Sequence, residues 1–143
     1  MTVKEWLNRA RDLDKEIKAL LAEKEKAFEI ATSVTVASEE ERVQASKKNT
    51  TENKFISYAS YKEMLEKRIE ELFAIKRETA SAIMEITNPT LRQLLTLRYI
   101  NLYTWENIAL ELNYSYKHVV RFLHPKALED IRKVLKGKNV KIC

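Results

Sequence analysis

One glycine and two prolines among 143 residues leave this chain few places to end a helix. Glycine supplies the positive φ of tight turns, and proline removes a backbone donor and clashes with the preceding turn. Their scarcity predicts an all-α chain of long helices. The apolar residues bear this out in pattern. Val3, Trp6, Ala10, Leu13, Ile17, Leu20, Lys24 and Ala27 recur every three or four residues, with Leu7, Leu21 and Phe28 widening the stripe. The spacing predicts one helix over about residues 2–30, capped by Thr2 with Glu5 as its capping-box partner. Its period lies nearer 3.5 than 3.6, which suits coiled-coil packing.

From residue 31 to 53 the stripe fails. Thr32, Ser33, Thr35, Ser38, Ser46, Asn49, Thr50, Thr51 and Asn53 mark a polar connection, with Ser38-Glu39-Glu40-Glu41 able to start a short helix running through Ala45. A second long helix is predicted over about residues 54–86, carried by Phe55, Tyr58, Leu65, Ile69, Leu72, Ile83 and Ile86. Two such helices form an antiparallel hairpin within one chain, or supply a homodimeric bundle, and the pattern allows both. Asn88-Pro89 ends the run, because the residue before proline avoids helical backbone. The expected organisation is a helical hairpin or coiled-coil arm over 1–87, followed by a separate module over 88–143.

Charge divides at the same place. Up to Thr87, sixteen Lys and Arg stand against seventeen Asp and Glu; from Asn88 onward the counts are ten and four. The segment 88–143 therefore carries a net charge of +6, which points to a polyanionic partner.

Within that segment, Pro89 suits a first turn, and Leu91, Leu94, Leu95 and Ile100 give the apolar face of a helix over about 90–99. Thr104 is an N-cap for a short helix, Trp105 to Leu112. Asn113 tolerates left-handed backbone, and Ser115 caps a further helix from Tyr116. This is the layout of a helix-turn-helix. Ala109 is the small residue at the close crossing, Ile108 and Leu112 are core positions, Asn113 makes the turn, and Tyr114, Val119 and Phe122 close the core from the other side. Pro125 either kinks this last helix or starts a new one, Ala127, Leu128, Ile131, Val134 and Leu135 resume the apolar pattern, and Gly137 ends it. The tail beyond, Lys136 to Lys141, reads as loose and basic.

The face of the second helix left outside that core carries Tyr116, Lys117, Val120, Arg121 and His124. In DNA-bound modules of this kind the start of the second helix meets base edges in the major groove. Arg121 can fork onto guanine, and Lys117 can do the same or grip phosphate. Asn113, Ser115 and Tyr116 can bond backbone phosphates. Thr104 and His118 complete the candidate DNA contacts.

The stretch Tyr99, Thr104-Trp105-Glu106-Asn107-Ile108-Ala109, Leu112, Ser115, Val119 and Ala127-Leu128 resembles region 4 of bacterial sigma factors. That family has glycine in the linker and in the turn, where this chain has Asn101-Leu102-Tyr103 and Asn113. The full layout is similar to small phage transcriptional regulators of the RinA/ArpU type, in which a coiled-coil arm precedes a sigma-like module; Glu41-Arg42-Val43-Gln44-Ala45-Ser46 resembles their connecting motif. The resemblance implies control of late genes of a phage or mobile element, in the cytoplasm of a bacterial host.

Other classes find little support. His118 and His124 are six apart, the wrong spacing for one metal on a helix. No Gly-rich phosphate loop and no nucleophile motif occurs, Cys143 is the only cysteine, and no apolar run approaches a membrane span. The expectation is a non-enzymatic, cofactor-free regulator of double-stranded DNA. A small DNA-recognition subunit of a phage packaging enzyme and a module that contacts RNA polymerase are the alternatives.

Overall fold

The computed structural model describes residues 1–37 and 45–143, and side chains for 1–32 and 52–143. The short helix expected to begin at Ser38, and most of the connecting motif from Glu41, lie outside the described residues. Every element among those described is helical. In order they are α1 (Val3–Leu7), α2 (Arg9–Ala37), α3 (Ala45–Ile83), α4 (Pro89–Leu95), a π-turn (Thr96–Ile100), α5 (Trp105–Leu112), α6 (Tyr116–His118), a second π-turn (Val119–Leu123) and α7 (His124–Gly137). None is long and apolar enough to cross a membrane.

The first helix starts as its sequence dictates. Glu5 N–H donates to the Thr2 hydroxyl at 3.2 Å, and Thr2 N–H donates to the Glu5 carboxylate at 2.6 Å. It is interrupted at Asn8, where the expected helix was continuous: Arg9 Nε–H donates to the Trp6 carbonyl at 2.9 Å and the Asn8 backbone opens to ψ −2°. The two long helices also reach further than their apolar stripes, to Ala37 and back to Ala45. The connection expected over 31–53 is helical at both ends.

The chain forms two compact units. Asp14–Glu71 is an antiparallel helical hairpin within one chain. Glu16 pairs with Arg68 at 3.3 Å, and the Phe28 and Tyr58 rings lie 5.4 Å apart, so partner numbers fall on α3 as they rise on α2. Ile17, Ala31 and Leu65 are buried there, while Leu21, Phe28, Ile30, Phe55, Ile56 and Met64 remain exposed. Two helices facing each other can cover only one stripe apiece.

The other unit joins Met1–Leu13 to Leu72–Cys143. Its core gathers Trp6, Leu7, Ile83, Ile86, Leu91, Leu94, Leu95, Tyr99, Ile108, Val119, Ala127, Ile131 and Leu135. Burying a Leu or Ile fully contributes about 1.5–3 kcal/mol. The first turn of the chain, read from sequence as the start of the arm, is thus packed among α4–α7. Asn88 caps α4, its side-chain oxygen accepting from Thr90 N at 2.9 Å and Leu91 N at 3.3 Å. The carboxyl-terminal tail, expected to be loose, is tied down. Val140 N donates to Leu135 O at 3.0 Å, Cys143 N to Met1 O at 2.9 Å, and Arg132 to Cys143 O at 2.9 Å, while Val140 and Ile142 pack on the core.

Candidate nucleic-acid interface

Two N-caps and one left-handed residue set the geometry of the module. The Thr104 hydroxyl accepts from Asn107 N at 3.3 Å and starts α5; the Ser115 hydroxyl accepts from His118 N at 3.1 Å and starts α6. Between them Asn113 takes φ 59°, ψ 38° and reverses the chain. Ile108, Ala109 and Val119 are buried beneath the turn. Leu102, in the linker before α5, also adopts a positive φ of 61°. Both the linker and the turn therefore contain a residue in left-handed backbone, an arrangement that a side chain with a Cβ tolerates poorly.

From Val119 the backbone changes period. His124 N donates to Val119 O, five residues back, across the π-turn. In an α-helix His124 would sit one turn beyond Val120, on the outer face. The i→i+5 bonding sets it beyond Val119 instead, facing the core. His124 is 7% exposed, and its Nε2 lies 2.6 Å from the Tyr99 hydroxyl. The Trp105 ring meets it edge-on at 4.5 Å. His124 is thus not on the outer face where 3.6-residue periodicity put it. Burial, then the charges of Lys4 and Arg98, lower its pKa to about 4, while burial first raises that of Tyr99 to about 12. The turn also accommodates Pro125. With i→i+5 bonds before it, the missing donor falls where the helix is already widened, so the helix neither splits nor stops and α7 follows directly.

Two expected core positions are exposed. Phe122 is 65% exposed, and Tyr114 is 44% exposed. Both flank His118: Tyr114 stacks on the imidazole at 5.0 Å between centroids, and Phe122 lies 5.5 Å away on the other side. Leu110, on α5, is 75% exposed.

The remaining expected contacts fall on one stretch. Ser115, Tyr116, Lys117 and Arg121 are exposed, and His118 and Val120 are half-buried. Lys117 and Arg121 are one turn apart, and neither forms an ion pair among the described residues, whose salt bridges involve Arg9, Lys18, Lys67, Arg68 and Lys138. Thr104 is exposed at the head of α5 rather than on this stretch.

Two arginines that local spacing did not single out complete the neighbourhood. The Arg98 guanidinium lies over the Trp105 ring at 4.4 Å and donates to Tyr103 O at 3.1 Å. Arg11 donates to the same oxygen at 3.3 Å and to Arg98 O at 3.0 Å. The pairing joins residues 87 apart in sequence, so no motif could have announced it. No group of three or more His, Cys, Asp or Glu among the described residues is placed to hold a metal ion.

Residues 31–129 match the family described as Protein of unknown function (DUF1492). The match spans more than half of the chain, which therefore belongs to that family. No curated protein and no solved structure matches it.

Proposed function

We propose that this member of the DUF1492 family is a sequence-specific regulator that binds double-stranded DNA through the helix beginning at Tyr116. The observation that carries the reading is the pair Lys117 and Arg121. They stand one turn apart on the second helix of a helix-turn-helix, exposed and without carboxylate partners. A solvated surface helix in a chain with 21 acidic residues would be expected to answer such cations with Asp or Glu at i+3 or i+4; duplex DNA supplies the anions instead. Arg121 reads guanine by its planar fork, Lys117 grips phosphate or a base edge, and Ser115, Tyr116 and Thr104 bond the backbone. The resemblance to sigma-like phage regulators adds the context: late genes of a phage or mobile element in a bacterial host.

Exposed Leu21, Phe28, Phe55 and Met64 on the hairpin favour a homodimer. Two modules would then read half-sites one helical turn apart. The test is footprinting on a selected duplex: paired protected half-sites, with Arg121→Ala relaxing the preference at one base and Lys117→Ala weakening binding to all sequences alike. A single unpaired footprint removes the dimer, and unaltered binding by both variants removes the assigned face.

Leu110, Tyr114 and Phe122 favour a second reading that need not exclude the first. Large apolar side chains left exposed, Tyr114 and Phe122 side by side about His118, suit a protein-binding surface, RNA polymerase among the candidates. Retention of polymerase by the parent chain and its loss on Phe122→Ser with Leu110→Ser, with DNA binding intact, would establish it.

A further inference from the structure

We infer that Arg11 and Arg98 form a site for a backbone phosphate of duplex DNA, beside the helix assigned to base reading. The inference rests on the DNA-binding reading above and adds to it a contact from the amino-terminal end of the chain. Two guanidinium groups converge on one neutral acceptor, Tyr103 O, at 3.1 and 3.3 Å. Their donor atoms are therefore no further apart than those two bonds laid end to end. Neither arginine makes an ion pair among the described residues. Both Nε–H groups are buried without an acceptor. Those two groups are sealed from solvent, so an arriving anion meets the outer guanidinium nitrogens, Arg11 Nη1 and Arg98 Nη2, which bond nothing among the described residues. Like charges held this close lack an anion.

The alternative is that the pair only clamps the linker, whose Leu102 sits at φ 61°. Arg11 does bridge two carbonyls, Tyr103 O and Arg98 O. Clamping carbonyls needs donors but no net charge, so it leaves unexplained why two cations without ion-pair partners among the described residues supply them. The location favours phosphate as well. Tyr103 immediately precedes the cap of α5, and Glu106 and Tyr116 are near enough to act electrostatically on Arg98. Glu106 is the acidic group facing the site, and it attracts Arg98 without pairing with it. Burial, and then the charge of Arg11, hold the Arg98 guanidinium below its ordinary pKa, a penalty that the negative charge of a phosphate offsets.

The test uses the full chain and the dependence of duplex affinity on salt. Each phosphate contact contributes about 0.9 to the slope of log K against log salt. Arg11→Met and Arg98→Met should each lower that slope by about 1 and weaken selected and random duplexes equally, with Arg→Lys at either position restoring part of it. Melting each variant separates a folding defect, since a clamp alone would lower the melting temperature and leave the slope unchanged. In the parent chain, the ¹⁵Nε–H resonances of both arginines should move on adding duplex and stay in place with inorganic phosphate at matched ionic strength. Unchanged slopes or unmoved resonances overturn the site, and an equal response to inorganic phosphate overturns its assignment to DNA. Lost sequence preference with the slope effect intact sinks the regulator reading and spares the site; intact preference with unchanged slopes does the reverse.

Discussion

Two histidines six residues apart on one helical run meet opposite fates. His118 faces outward between Tyr114 and Phe122, in a ladder of rings half open to solvent. His124 faces inward, bonded to Tyr99 and packed on Trp105. The residue type does not decide this, and neither does simple helical periodicity. One π-turn between them, with its i→i+5 bond from His124 to Val119, carries the second histidine from the outer surface to the core, while Phe122, one turn after His118, stays on the outer side with it. The outer side is left exposed, and the inner side fixes how α5 and α7 are held.

The comparison can be broken from either side. The largest effect belongs to the core under the turn. Ile108→Ala should destabilise the chain by about 2–5 kcal/mol in denaturant unfolding, because the side chain is fully buried. A loss under about 1 kcal/mol would mean this core is not the one that orders the module. Next comes acid. His124 is neutral in the fold, with its pKa lowered to about 4. Below the ordinary value of about 6.5 the unfolded chain takes up a proton that the folded chain refuses, so stability falls as pH drops from about 6.5 to about 4. The loss from this group is about 3 kcal/mol in all, with none above pH 6.5. Unfolding midpoints across that range should follow it, and the acid-sensitive part should vanish in the double variant Tyr99→Phe, His124→Leu. A parent whose stability is flat from pH 7 to 4 would place His124 in water.

Smaller effects sharpen the contrast. Tyr99→Phe leaves His124 without its partner and should cost about 1–3 kcal/mol. Phe122→Ala, on the outer side, should change stability by about 0.5 kcal/mol or less, since most of the ring is already in water. Equal losses from these two variants would erase the distinction between inner and outer rings.

Much of the fold was legible in the residues. The Thr2–Glu5 box, the Asn88-Pro89 break, the caps at Thr104 and Ser115 and the left-handed turn at Asn113 are local features, set by side chains within a few residues of the backbone they bond. The differences between sequence and structure have three physical origins. A constant 3.6-residue period puts His124 on the outer face, and no single residue signals a π-turn; Tyr114 and Phe122 are core positions of the helix-turn-helix template that this chain leaves exposed. Trp6 and Leu7 in the carboxyl-terminal core, and Arg11 beside Arg98, depend on contacts between distant parts of the chain, which periodicity does not encode. The polar ends of the connection misled for a third reason: Thr and Ser have modest intrinsic helix propensity, which continuation of a long helix overrides.

The claim that the surface beginning at Tyr116 reads DNA is tested most directly by competition. Labelled duplex from the chain's own gene neighbourhood is challenged with random duplex across a salt series. The account predicts a preference of about 10³ or more that survives about 150 mM salt. Weak binding, equal for both duplexes and lost as salt rises, would contradict it and leave the basic segment as an electrostatic aid to some other partner.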